Sequence, residues 1–186
     1  MKYLIIGLGN VGAQYELNRH NIGFLILDRL ADVCGGSFEE ARLGFQATIR
    51  YKGRTLVLLK PSTWMNNSGK AVNYWMQIKK IPVTRLLVVV DDISLPFGIL
   101  RIRARGSSAG HNGLKSIEET IGRLDYPRLR FGIGNNFGQG KQSDYVLSNF
   151  DKNEMVQLTP LIDKACDSIL AFCTIGINRT MNQFNS

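Results

Sequence analysis

The run Leu86-Leu87-Val88-Val89-Val90 is apolar at every position and ends on Asp91. A strand with one wet face alternates between apolar and polar residues. One without a polar position is buried on both faces, as in the middle of a sheet covered by helices. Strands and helices alternate on either side of it. Residues 2–7 form a short apolar run ending in glycine, 45–51 and 55–60 flank the hairpin turn Lys52-Gly53, and 98–105 and 128–134 complete the strands. Ile22, Leu25, Ile26 and Leu30 recur at helical spacing until Gly35-Gly36, and residues 69–80 and 113–122 read as two further helices. A last helix is expected over 151–175, with Met155, Leu158, Ile162, Ala165, Ile169 and Phe172 on its core face and Pro160 kinking or restarting it. The pattern predicts an α/β fold, one domain over residues 1–186 with a twisted, mixed but mostly parallel sheet flanked by helices.

The chain has 23 Lys+Arg against 15 Asp+Glu, a formal net charge of +8 over 186 residues. Such an excess on a small domain points to an anionic partner, nucleic acid above all, with plain solubility as the other explanation. No apolar run approaches the ~18 residues of a membrane helix, and the opening residues, broken by Gly7 and Gly9, do not read as a signal peptide. Cys34, Cys166 and Cys173 are odd in number and lack CxxC spacing. They are expected as buried small hydrophobes in a reducing compartment. With His20 and His111 the only histidines, no zinc pattern assembles.

Gly7-Leu8-Gly9-Asn10-Val11-Gly12 matches the dinucleotide-binding fingerprint G-x-G-x-x-G. That motif requires a helix to begin inside the glycine loop, so that its N-terminus meets the pyrophosphate. Here residues 14–20 intervene before any amphipathic pattern, and the next strand arrives only near residue 45. A nucleotide cofactor is therefore disfavoured, and the loop reads as a device for presenting Asn10 and His20. In open α/β sheets, sites form beyond the carboxyl ends of the strands. Asn10, Asn66, Asp91 and Asn112 each follow a strand, so parallel strands would bring them to one rim, with His20 folded over it. A neutral imidazole can take a proton from water. A carboxylate on its other nitrogen fixes the tautomer and stabilises the developing imidazolium. Asparagine amides can serve an oxyanion or a peptide bond without adding charge. No serine or cysteine stands in a nucleophile elbow, so water is the expected nucleophile. Taken singly, each residue has a plain structural explanation, as a surface histidine, a strand-end cap or a turn asparagine.

The set resembles the bacterial-type peptidyl-tRNA hydrolase family. The resemblance lies in GLGNVG…RHNIGF (7–24), KPSTWMNNSGKAV (60–72), VVVDDISLPFG (88–98), RIRARGSSAGHNGLKSI (101–117) and RLRFGIG (128–134). It covers nearly the whole chain in the family's order. It implies hydrolysis of the ester joining a peptide to the terminal ribose of tRNA, recycling tRNA from prematurely released peptidyl-tRNA. It implies His20 as general base, Asp91 as its partner, and Asn10, Asn66 and Asn112 as substrate-holding residues, to which Tyr15, Trp64 and Met65 are added as candidates. It also implies a cytoplasmic monomer without cofactor or metal. The chain departs from the family's usual residues at Val11 (Pro), Asn18 (Thr), Trp64 (Tyr or Phe), Ser94 (a second acid) and Asn135-Asn136 (Arg or His, then Pro). None of these touches the expected base or its partner.

Arg101, Arg103 and Arg105 alternate with Leu100, Ile102 and Ala104, which puts the three arginines on one face of a strand; Arg128 and Arg130 repeat the spacing. With Asp125 the only acid nearby in sequence, these five are the candidates for the tRNA phosphates, and such contacts position a substrate without reading its bases. A non-catalytic RNA-binding relative would use the same face, but would have no need of a base and its carboxylate.

Overall fold

A computed structural model describes residues 1–185. Among them, seven strands form one sheet: β1 (Lys2–Gly7), β2 (Glu39–Ala41), β3 (Gly44–Tyr51), β4 (Arg54–Pro61), β5 (Leu86–Asp92), β6 (Leu100–Arg103) and β7 (Arg128–Gly132). Their spatial order is β2-β3-β4-β1-β5-β7-β6. β1 pairs in parallel with β4 and β5, and β5 with β7; β2, β3 and β6 run antiparallel to their neighbours. The β3–β4 hairpin turns on Lys52 and Gly53, both at positive φ (46° and 79°), as a two-residue turn matched to strand twist requires.

Helices α1 (Ile22–Val33), α5 (Lys152–Ile175) and α6 (Ile177–Phe184) cover one face of the sheet; α2 (Ser68–Lys79) and α3 (Asn112–Ile121) cover the other. The alternation of side chains splits β5 between them. Leu87 and Val89 enter the core beneath α1 and α5, and Leu86, Val88 and Val90 the core beneath α2 and α3. All seven residues of β5 are buried, so each large apolar side chain contributes roughly 1.5–3 kcal/mol of transfer free energy.

Three expectations are corrected. The chain forms β2, the short helix α4 (Gln142–Val146) and α6, none of which the sequence pattern separates out. β2 is a polar Glu-Glu-Ala triplet held by pairing with β3, and α4 is a single helical turn and a half. The helix runs continuously from Lys152 to Ile175 with Pro160 inside it, so it does not restart there. The N–H that proline lacks would have met the carbonyl of Val156, a residue 82% exposed, where water can serve instead. Asp151 starts this helix with a capping box: its carboxylate accepts from Glu154 N–H at 2.8 Å, and Glu154 accepts from Asp151 N–H at 2.9 Å. Cys166 and Cys173 are buried as expected, and burial pushes the Cys166 thiol up to about 12, but Cys34 is only half-buried.

Edge strand β6 is closed by a side chain. Asn185 accepts from Ile102 N–H at 2.7 Å and donates to Ile102 O at 2.9 Å, mimicking one residue of a further strand.

A close approach of two glycines sets α1 against the sheet. A Cβ on Gly7 would stand 2.3 Å from the Gly23 carbonyl oxygen, and one on Gly23 would stand 2.6 Å from Leu8 N and 2.7 Å from Val89 O. The N-terminus of α1, and the turn Arg19–Asn21 leading into it, are thereby pressed against the carboxyl ends of β1 and β5. Gly23→Ala should lower the thermal midpoint, since overpacking of this kind costs ~1–3 kcal/mol. It should also shift the His20 imidazole resonances in an NMR spectrum, because the helix start carries that turn. An unchanged midpoint would show that the backbone relaxes freely.

Candidate active site

The parallel strands β1, β4 and β5 deliver Asn10, Asn66 and Asp91 to one rim. Asn10 is tied down on three sides. Its N–H donates to Asn21 Oδ1 and its carbonyl accepts from Asn21 Nδ2, both at 2.8 Å, while its Oδ1 accepts from Met65 N–H at 3.0 Å. The remaining capacity of its carboxamide is the N–H pair on Nδ2. Asn21 is the brace for this loop, and within RHNIGF nothing in the pattern of the sequence singles it out.

Asn112 reaches the rim by another route than expected. β6 is antiparallel to β7, so its carboxyl end, Arg103 beside Arg128, lies at the opposite end of the sheet. Residues 104–111 carry the chain back, and Ser107 O accepts from Arg130 (2.8 Å) and Arg128 (3.4 Å) along the way.

Asp91, 3% exposed, lies between two imidazoles. His20 Nδ1 is 2.9 Å from both carboxylate oxygens, and His111 Nε2 is 2.8 Å from Oδ1. The tautomers follow from the bonding. His111 Nδ1 accepts from Gly113 N–H (3.1 Å) and Leu114 N–H (3.3 Å), capping α3, so its proton is on Nε2 and points at Asp91. His20 directs Nδ1–H at the same carboxylate, which leaves Nε2 as its basic atom. Burial alone would push the Asp91 carboxyl up, but the charges and hydrogen bonds of the two histidines reverse this and hold it well below the usual range. Burial likewise works to lower His20, yet Asp91 outweighs it and the net direction is upward from 6.5. The sequence pattern assigns His111 no role. Its position just before the helix at Asn112 and Gly113 is the available signal, since that is where an N-cap stands.

His20, Asp91 and His111 hold three potential metal-ligand atoms within 4.8 Å of one another. The separations of 2.8–2.9 Å between them are hydrogen-bond lengths. A metal ion ~2.0–2.1 Å from each nitrogen would have to replace both bonds.

Two hollows meet at His20. A cleft of about 260 Å³ is lined by Asn10, His20, Trp64, Met65, Asn66 and Asn112, with Ser143, Val146 and Leu147 across from them. The other hollow lies against Asp91, Asp92, residues 108–112 and Arg130. Of the expected substrate-holding residues, the cleft gathers all except Tyr15, which meets it only through Trp64 (ring centroids 6.3 Å apart, edge to face). Trp64 is exposed, and Met65 is buried against the start of α3, where a Cβ on Gly113 would stand 2.7 Å from its Sδ.

The five arginines do not form one solvated face. Arg128 is fully buried. It lies over the Tyr126 ring at 4.0 Å, donates to Leu124 O at 2.7 Å and Tyr126 O at 3.2 Å, and faces Glu118 at 3.9 Å. It closes the space between β7 and α3, and its guanidinium is not offered to a phosphate. Arg130 is mostly buried, with Asp92 at 3.7 Å. Arg103 and Arg105 are exposed, Arg101 is half-buried, and Arg105 lies beyond the end of β6, which is shorter than the sequence pattern implies. Asp125, the acid considered in the sequence, pairs with Arg123 at 2.6 Å. The acids nearest Arg128 and Arg130 come from α3 and β5, as Glu118 and Asp92.

The chain is similar to known proteins over nearly its whole length. The sequence model of the peptidyl-tRNA hydrolase family matches residues 4–186. The chain is 55% identical over 185 residues to a peptidyl-tRNA hydrolase of Phocaeicola vulgatus, covering 100% of this chain and 99% of that one. It is 51% identical over 186 residues to that of Cytophaga hutchinsonii, with the same coverage. The crystal structure of peptidyl-tRNA hydrolase from Acinetobacter baumannii superposes with a TM-score of 0.93 at 32% identity, covering 99% of this chain and 94% of that one.

His111→Ala should have two separable effects. Loss of the cap should destabilise the protein by ~1 kcal/mol, read as a lower thermal midpoint. Loss of one hydrogen bond to Asp91 leaves its charge more fully directed at His20, so the His20 titration followed by NMR should move further up. A downward move would mean that His111, not Asp91, sustains the His20 proton.

Proposed function

The chain belongs to the peptidyl-tRNA hydrolase family, and on that premise we propose that His20, Asp91 and three asparagines divide the hydrolysis of peptidyl-tRNA among them. The observation that carries this is the buried His20–Asp91 pair, with Nδ1 bonded to the carboxylate and Nε2 left as the base where two hollows meet. His20 Nε2 takes a proton from water as the oxygen attacks the ester carbonyl carbon. The tetrahedral oxyanion accepts from Asn10 Nδ2, whose orientation Met65 N–H and Asn21 fix. As the intermediate collapses, the ribose oxygen leaves with the proton held by His20, giving free tRNA and a peptide carboxylic acid. Asp91 keeps the tautomer and stabilises the imidazolium between these steps.

The cleft beside Asn66 and Asn112 takes the acyl part. Its polar groups are neutral amides, and the Trp64–Tyr15 pair and Met65 supply its apolar wall. A free α-ammonium brought there would lose hydration without gaining a carboxylate, since Asp91 is engaged by two histidines. Exposed Arg103 and Arg105, with Arg101 and the rim of Arg130, face the tRNA backbone; Arg128 does not. A monomer working in the cytoplasm with no group beyond water and its own side chains completes the reading.

A side-by-side assay on one aminoacyl-tRNA, free and N-acetylated, tests it. The acetylated form should be hydrolysed and the free form rejected. His20→Ala should lower kcat by ~10²–10⁴-fold, the usual contribution of a positioned base. Because the neutral imidazole is the active form and Asp91 raises its pKa, log kcat/KM should fall with acid through a midpoint above 6.5. In Asp91→Asn only burial remains, and the midpoint should drop. Comparable rates on the two substrates would remove the peptidyl part of the assignment, and a flat profile between pH 5 and 8 would remove the histidine base.

Replacing Arg103 and Arg105 by Glu should raise KM with less effect on kcat. It should also reduce the slope of log K against log salt by about one for each phosphate that is no longer neutralised. Equal slopes in the two proteins would show that neither arginine meets the backbone.

A further inference from the structure

The residue before His20 is a buried cation that the mechanism does not use. Arg19 is 7% exposed, and both terminal nitrogens of its guanidinium are directed at one distant stretch of chain. It donates to Glu154 Oε1 at 2.7 Å, to Asn149 O at 2.9 Å and to Ser148 Oγ. Its planar face lies over the Tyr145 ring, 4.3 Å from the centroid. The backbone follows the same line: Arg19 N–H donates to Ser148 O at 3.0 Å, and Phe150 N–H to Leu17 O at 3.3 Å.

What this cation grips is the Tyr145 ring of α4 and the Ser148–Asn149 stretch that follows it, and α4 is the element that overhangs the active site. Ser143, Val146 and Leu147 form the far wall of the cleft, and Gln142 borders the other hollow. None of the five residues of α4 is fully buried, and only Tyr145 and Val146, each partly buried, pack it against the core. Its other tether is Tyr145, whose hydroxyl donates to Ile133 O at 2.6 Å and whose ring is the one beneath Arg19. A buried guanidinium separated from its carboxylate is left uncompensated. Departure of α4 would strip Arg19 of its stacking partner and open its pairing with Glu154 to water. The turn carrying His20 and the overhang facing it are thus coupled through one side chain.

We propose that Arg19 is a positioning residue for the acyl end of the substrate, clamping α4 over the cleft so that the wall opposite Asn66 and Asn112 stands at a fixed distance from His20. This rests on the acyl part of the substrate lying in that cleft. Arg19→Lys keeps the charge but loses the planar fork and the stacking. Tyr145→Leu loosens the same clamp from the other side and leaves Arg19 paired with Glu154.

The test compares wild type, Arg19→Lys and Tyr145→Leu with N-acetylated aminoacyl-tRNA, together with hydrogen exchange of the substrate-free proteins. In both variants KM should rise about tenfold, since each loses the stacking between residue 19 and the ring at 145 that helps hold the binding wall. Affinity for deacylated tRNA should be unchanged. Amides of residues 142–148 should exchange faster, while those of α5 keep their protection. A lower kcat at constant KM, or faster exchange throughout the chain, would show that Arg19 only supports the fold. If Arg19→Lys fails to fold, Tyr145→Leu carries the same comparison. Failure of the hydrolytic reading would appear separately, as an inactive wild type, and the exchange result would still decide whether the clamp exists.

Discussion

A carboxylate buried at the end of the central strand is the constraint on which this molecule's chemistry depends. Asp91 is placed beyond the last valine of β5, where water is nearly absent, and a lone charge there would be neutralised by a shift in its own pKa. It stays ionised because two imidazoles approach it at 2.8–2.9 Å. Each histidine is oriented by that need. His20 must turn Nδ1 to the carboxylate, which leaves Nε2 free. His111 must turn Nε2 to it, because its Nδ1 is already the cap of α3. One buried charge therefore ties together two imidazoles, one whose tautomer the cap of α3 sets and one that is left with its base pointing away from the carboxylate.

The pairing has consequences in both directions along pH. The Asp91 contribution to stability is present above its unfolded pKa and is lost as pH falls through its lowered folded value. That of His20 is full below its unfolded value and fades as pH rises through its raised folded one. Stability from the pair thus favours mild acid, while base catalysis needs the imidazole neutral. Bringing the partners together requires a close backbone approach, which Gly7 against Gly23 supplies. The glycines that resemble a nucleotide fingerprint are accounted for in part by this helix-to-strand packing.

The basic surface is narrower than the count of positive charges suggests. Period-two spacing does place Arg128 and Arg130 on the same face as Arg101 and Arg103, and the β6–β7 register sets them directly opposite one another. That face continues beneath α3, whose Glu118, with the carbonyls of residues 107, 124 and 126, absorbs Arg128. An arginine on a strand can be a ligand for phosphate or a filler between sheet and helix, and strand period alone does not separate the two.

Much of the framework was legible from residues adjacent in the chain. The unbroken apolar run at 86–90 announced the central strand, the Lys52-Gly53 turn the hairpin, and helical spacing α1, α2, α3 and α5, because burial and turn geometry act over a few residues. The same locality put Asn10, Asn66 and Asp91 at strand ends and so at one rim. What remained for the tertiary structure were interactions between distant segments. These are the reversal of β6 that sends residues 104–111 back to the rim, the second imidazole on Asp91, the burial of Arg128, and the grip of Arg19 on residues 145–154. Each is settled by which group a buried charge or an open strand edge finds across the fold, and no period along the sequence encodes that partner.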